Sequence, residues 1–186
     1  MKHLLSLFIG FVVLWSSTVY AGGKHYWLAD AGMLLNQGKN DNPAIEGLVG
    51  LTYGYGFNSQ YALEVDYLQS IFGGKYSKTL NPPVSAVSLE DGQYSHWMSS
   101  VNGVYRHLFG KMFYLKAKLG FMFGQEHRST NVPNKSNNSS IQGIDGGLGG
   151  GVLLGPVLGT SSTLELNYTQ HNQKLMSFTL GLNVTF

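Results

Sequence analysis

The sequence predicts an all-β chain, an eight-stranded antiparallel up-and-down transmembrane β-barrel. Three observations carry this reading. Eight segments alternate large apolar with small or polar side chains, the period of a strand with two unlike faces. Every Asp, Glu, Lys and Arg well inside those segments falls on the small, polar face. Tight turns alternate with mostly longer polar connections, the rhythm of a bacterial transmembrane barrel.

Composition narrows the classes further. The chain has 186 residues and no cysteine, which excludes a disulfide framework and a thiolate metal site. A formal charge of +2 leaves no basic footprint for nucleic acid. A mean hydropathy of -0.04 is far too low for a bundle of membrane helices. The start reads as an export signal: MKH is a short positive stretch, residues 4–15 are apolar, and SSTVYA places Val19 and Ala21 before a cut. That apolar run is too short for a membrane helix, which needs roughly 20 residues. Cleavage is expected after Ala21, leaving residues 22–186 as one barrel domain.

The elements follow in order. Residues 25–36 set Trp27, Ala29, Ala31, Met33 and Leu35 against Leu28, Asp30, Gly32 and Leu34. After the turn formers GKNDNP, residues 46–57 set Val49, Leu51, Tyr53, Tyr55 and Phe57 against Gly50, Thr52, Gly54 and Gly56. The short break NSQ leads to residues 61–71, where Tyr61, Leu63, Val65 and Tyr67 alternate with Ala62, Glu64, Asp66 and Leu68. Residues 72–93, with Pro82 and Pro83, read as a long polar loop. Residues 94–107 carry Trp97, Val101 and Tyr105 on one face, and His96, Asn102 and Arg106 on the other. LFGK turns the chain into residues 112–124, with Phe113, Leu115, Leu119, Phe121 and Phe123 opposite Tyr114, Lys116, Lys118 and Gly120. Residues 125–140 show no periodicity and read as a second polar loop. Residues 141–154 place Ile144, Leu148, Val152 and Leu154 against Gly143, Asp145, Gly147 and Gly149. Residues 162–171 place Leu164, Leu166 and Tyr168 against Thr163, Glu165, Asn167 and Thr169. The last segment, 175–186, alternates Met176, Phe178, Leu180, Leu182, Val184 and Phe186 with Ser177, Thr179, Gly181, Asn183 and Thr185.

The character of the two faces selects lipid over a soluble core. A soluble barrel turns its apolar face inward and a charged face to water. Here the polar face is mostly Gly, Ser, Thr and Asn, which suits a crowded lumen, and the opposite face is dense in Leu, Val, Phe, Tyr and Trp. Aromatics gather near segment ends: Tyr26, Trp27, Tyr55, Phe57, Tyr61, Tyr105, Phe113 and Phe186 at one, and Tyr67, Trp97, Phe121, Phe123 and Tyr168 at the other. Two interfacial girdles are expected from this. The inward charges are five acids, Asp30, Glu64, Asp66, Asp145 and Glu165, and three bases, Arg106, Lys116 and Lys118. Unpaired buried charge is costly, so these are expected to form an ion-pair network that plugs the lower lumen.

The export signal, the eight segments and the closing LGLNVTF resemble the small eight-stranded outer-membrane proteins, meaning the outer-membrane protein A/X superfamily and the opacity-type outer membrane β-barrel domain proteins. The resemblance implies a bacterial outer-membrane location, with both termini in the periplasm. It also implies that Leu182, Val184 and Phe186 form the C-terminal signal read by the barrel-assembly machinery. The implied partners are outer-membrane lipid and lipopolysaccharide, with host or surface ligands met through extracellular loops. The implied role is structural or adhesin-like. A narrow pore for ions or small solutes is the first alternative, and a lipid A-modifying enzyme is the second. The deacylase pattern of His followed two residues later by Ser is absent. His171 shares a face with Glu165 but stands six residues away. The remaining histidines lack metal-ligand spacing. No catalytic residue, metal or cofactor is therefore expected.

Overall fold

A computed structural model describes residues 24–36, 44–84, 87–109, 112–132, 136–157, 160–171 and 175–185. The expected export segment with its cleavage site at Ala21, and the terminal Phe186, lie outside the described residues. Nine strands follow in order: β1 (Lys24–Asn36), β2 (Ala44–Gly56), β3 (Tyr61–Phe72), β4 (Gly74–Val84), β5 (Val87–Phe109), β6 (Phe113–Thr130), β7 (Asn137–Val157), β8 (Thr160–Gln170) and β9 (Leu175–Thr185). All neighbouring strands pair antiparallel.

The sheet closes on itself. β9 pairs with β1 from Tyr26↔Thr185 to Asn36↔Leu175, and β3 pairs with β5 from Tyr61↔Tyr105 to Gln69↔Trp97. β4 then takes over the same edge of β5, from Gly74↔Tyr94 to Thr79↔Leu89. β3 and β4 are thus two lengths of one stave joined at Gly73, and the barrel has eight staves. Glycine suits the joint, because a Cβ on Gly73 would sit 2.8 Å from the Tyr94 carbonyl oxygen.

The side chains sort by face along every stave. Leu119 is 67% exposed and Leu148 67%, whereas Glu64 is 1% and Glu165 0%. Exposed Val65, Val101, Leu115, Phe121, Ile144, Leu166 and Leu180 continue the apolar band around the barrel. A continuous apolar surface of that extent is untenable in water and is matched by hydrocarbon. Outward rings pair near the rims, Tyr61 with Tyr105 at 5.4 Å and Trp27 with Tyr53 at 5.0 Å between centroids. Tyr26 departs from the expected girdle. It points inward and is buried, because its strand position shares the parity of Leu28 and Asp30 rather than of Trp27.

Two expected loops are strand instead. The segment 72–93 forms β4 and the start of β5, and 125–140 supplies the end of β6 and the start of β7. The β5–β6 ladder runs unbroken to Gly92↔Thr130. A tilted strand of about 9–11 residues crosses the bilayer, so β5 with 23 residues and β7 with 21 continue well beyond it. At the opposite end, where β1 begins and β9 ends, β2 and β3 are joined by the short turn 57–60. The rule that short turns face the periplasm puts that end inside the envelope and the extended hairpins outside the cell.

If lipid touches the apolar band, Leu148→Arg is expected to cost about 2–4 kcal/mol in reversible urea unfolding from lipid vesicles, as an ionised side chain near the bilayer midplane does. The same change at exposed Gln142, nearer the hairpin end, is expected to be close to neutral.

Candidate functional site

The lumen is filled in layers, each built by inward positions of different staves. Nearest the turn end, Lys116 on β6 bridges two acids, its Nζ lying 2.7 Å from Glu64 Oε1 and 3.2 Å from Glu165 Oε2. Arg106 on β5 reaches the same Glu64 oxygen at 3.1 Å. Tyr26 donates its hydroxyl proton to Glu64 at 2.7 Å, Tyr114 donates to Glu165, and Asn183 donates to Glu165 at 2.8 Å. The Arg106 guanidinium stacks over the Tyr26 ring at 4.3 Å. Gly54 and Gly151 make room for the two tyrosines, since a Cβ on either would collide with the ring opposite. Two acids and two bases balance in this layer, each within reach of a partner.

The next layer centres on Asp66. It accepts from Lys118 Nζ at 2.9 Å, Thr52 at 2.7 Å, Asn102 at 2.8 Å and Ser100 at 3.1 Å. Asn102 also reaches Asp145 at 3.2 Å. Asp30 faces the lumen but forms no ion pair among the described residues. It accepts only a long bond from Thr179 at 3.4 Å, and its Oδ1 is buried without a partner. The eight charges expected in the lumen therefore divide. Glu64, Arg106, Lys116 and Glu165 form one cluster, Asp66 and Lys118 a second, and Asp145 a third with a histidine.

That histidine is His171. Its Nδ1 lies 2.8 Å from Asp145 Oδ1 and its Nε2 lies 2.8 Å from Ser177 Oγ. Acid, imidazole and hydroxyl thus stand in the sequence used by nucleophilic hydrolases. Ser177 was hidden in the sequence because it comes from the following strand, across the β8–β9 hairpin, and not from two residues along the same strand. The constellation is sealed. All three residues are buried, and the Asp145–His171 contact is not aligned as a hydrogen bond. The cavity that Ser177 lines holds about 10 Å³, room for a single water. That cavity is too small for an acyl chain.

Above these polar layers the lumen turns apolar. Leu34, Leu48, Leu68, Met98, Met122 and Leu175 pack into one buried cluster with Ile141 against it. Beyond that septum lies a second polar group. His96 sits between Glu46 at 2.8 Å and Glu126 at 3.1 Å, and Ser70 and Asn36 hydrogen-bond the two carboxylates. Sequence reasoning missed this group because Glu126 fell in an expected loop and Glu46 at the first position of a segment. Their parity, inward like Leu48 and Met122, is the signal that would have placed them.

The extended hairpins carry a core of their own. Arg128 on β6 stacks on Tyr76 at 4.5 Å and Tyr94 at 5.3 Å, and its Nη2 lies 3.0 Å from buried Glu90. Burial raises the Tyr76 phenol above its ordinary pKa. Among the described residues no group of His, Asp and Glu has the arrangement of a metal site. Of the expected assembly signal, Leu182 and Val184 lie on the outward face of β9, with Leu182 exposed.

Closed lumen, apolar belt and strand topology define the class, a small eight-stranded barrel of the outer-membrane type. The chain resembles the attachment invasion locus protein Ail of Yersinia pestis, solved in complex with the heparin analogue sucrose octasulfate, at a TM-score of 0.55 and 16% identity over 90% of this chain and 100% of that one. Neisserial surface protein A is similar at 0.54 and 16%, covering 89% and 100%. The outer-membrane protein OprG of Pseudomonas aeruginosa gives 0.52 and 10%, covering 89% and 96%. At these identities the likeness is one of fold. No protein-family model and no curated protein sequence matches the chain.

Removing Lys116 leaves buried Glu165 without its ion-pair partner and Glu64 with Arg106 alone. Lys116→Met is expected to destabilise the barrel by about 3–5 kcal/mol in detergent-micelle unfolding, the cost of breaking a buried pair by deleting one partner. Lys116→Met combined with Glu165→Gln, which keeps the Glu64–Arg106 pair, is expected to recover most of that loss.

Proposed function

We propose that this chain is a bacterial outer-membrane protein with a shut lumen, whose working part is the sheet of β4–β7 held above the lipid. Its role is structural and surface-interactive, and it performs no chemistry of its own. The observation that carries this reading is the apolar septum. A water-filled path through eight staves is narrow at best. Here it would have to wet a layer of leucine and methionine and then break the ion pairs beneath. The staves meanwhile continue far past the bilayer, which a plain plug would not require.

The partners fit that arrangement. The apolar band meets outer-membrane lipid, and the outward face of β9 carries Leu182 and Val184 where the barrel-assembly machinery would read them during insertion. Outside the membrane, Lys75 is exposed and Lys78 half-buried on β4, and His127 is exposed on β6. The two lysines on a preformed sheet suit sulfated or phosphorylated polyanions, lipopolysaccharide phosphates among them. The fold neighbour crystallised with sucrose octasulfate adds weight to that ligand class.

Purified protein in planar bilayers is expected to show no steady conductance. Reproducible open-channel steps that change size in Arg106→Ala would overturn the closed-lumen reading. For the surface, the native protein in micelles is expected to be retained on immobilised heparin and released by salt. Lys75→Glu with Lys78→Glu should elute at distinctly lower salt. Retention equal in both proteins would remove the polyanion from the account.

A further inference from the structure

The turn end of the barrel opens into a cup of about 300 Å³ that the closed-lumen reading does not use. Its floor is the underside of the lowest ion-pair layer, with Arg106, Tyr26 and Tyr114, and its rim carries Lys24, Asn58 and Asn183. Two features distinguish it from the rest of the lumen. Among the described residues no carboxylate lines it. And the Glu64–Glu165–Lys116–Arg106 cluster beneath is already balanced, so Lys24 stands as a surplus cation; among the described residues it makes no ion pair. Arg106 also turns part of its guanidinium to the cup. Among the described residues its ion pair is with Glu64, through Nη2 at 3.1 Å; its Nε is buried without a hydrogen-bond partner, and the side chain keeps 18% of its surface open.

We infer that this cup is a binding site for a small oxyanion, a carboxylate or phosphate group carried on a molecule small enough to enter from the periplasmic side. The planar guanidinium suits either group, and Lys24 adds a point charge from the rim. The side-chain amide of Asn183 is committed to Glu165, whereas among the described residues Asn58 uses its carbonyl oxygen alone, accepting from the Gln60 and Tyr61 amides, which leaves its NH₂ to a ligand. Tyr26 and Tyr114 present ring faces and edges to whatever carries the anion. The volume is at the small end for ligand sites, which favours a compact molecule over a peptide or a lipid.

The test is a solution NMR titration of the full barrel in micelles, at constant ionic strength, with sodium phosphate in one arm and sodium acetate in the other against sodium chloride. Saturable shifts are expected at the Asn58 amide and the Arg106 Nε–H in at least one arm, and the arm that saturates names the head group. Lys24→Gln is expected to weaken that binding about tenfold, the loss of one charge-assisted contact. Arg106→Gln should weaken it further. If Arg106→Gln fails to fold because Glu64 loses a partner, the exposed Lys24→Gln decides alone. Shifts that grow linearly without saturation in both arms, or saturate equally in Lys24→Gln, would overturn the assignment.

Discussion

The whole structure depends on satisfying backbone hydrogen bonds where no water is present. Each N–H or C=O left open in hydrocarbon costs several kcal/mol, so a sheet that enters the bilayer must have no free edge. The β1–β9 ladder removes the last edge within the membrane. Once every stave is paired on both sides, side-chain polarity is free to divide by face. Leucine and phenylalanine go to lipid and ionised groups to the axis. The two-residue period in the sequence is the trace of that division, because a slip of one residue would exchange the faces along a whole stave.

Eight staves enclose a space that side chains can fill, and this sets the rules inside. Charges turned to the axis are stripped of bulk water, so most of them are paired there, Asp30 with its single long bond from Thr179 being the exception. Glu64 and Glu165 find Lys116, and Asp66 finds Lys118. Each pair joins different strands, so a shift of register on any one would leave a buried charge alone. The ion pairs fix alignment, and the septum of Leu34, Leu48, Leu68, Met98, Met122 and Leu175 does the separate work of excluding water between the two polar groups. The Asp145–His171–Ser177 relay follows the same logic. A buried imidazole needs both nitrogens met, and a neighbouring strand supplied the hydroxyl that meets one of them.

What could be read from the sequence follows from where lipid acts. Inside the bilayer every outward position must be apolar, so the faces of β1, β2, β3, β8 and β9 and of the membrane-spanning lengths of β5, β6 and β7 were legible, and with them the inward side of the charges they carry. Outside it nothing forces alternation. NVPNKSNNSS and the stretch around Pro82 and Pro83 therefore concealed the ends of long strands. Tyr26 was misplaced for a related reason, since an aromatic near a rim fits either face, and only its parity with Leu28 decides. The division of the charges into separate clusters was illegible, because depth along a tilted, closed sheet depends on stagger between strands, which the sequence of one strand does not carry.

The outer hairpins raise a question of their own, since strands leaving the membrane give up the lipid that ordered one of their faces. On the inward face they carry a small core of their own. Ala44, Tyr76 and Tyr94 are buried together, and Arg128 lies against both rings while it pairs with Glu90. A guanidinium laid against a pair of packed rings and held by a buried carboxylate gives a short sheet a fixed shape at little cost in apolar surface. A surface fixed in this way loses less conformational entropy when a ligand arrives than an unstructured loop of equal length. The continuous β5–β6 ladder then connects that surface rigidly to the staves below. The barrel thus serves as the foundation of the sheet, and filling its lumen and extending its hairpins are two parts of one solution: a small chain that stands upright in lipid and presents an ordered face outside it.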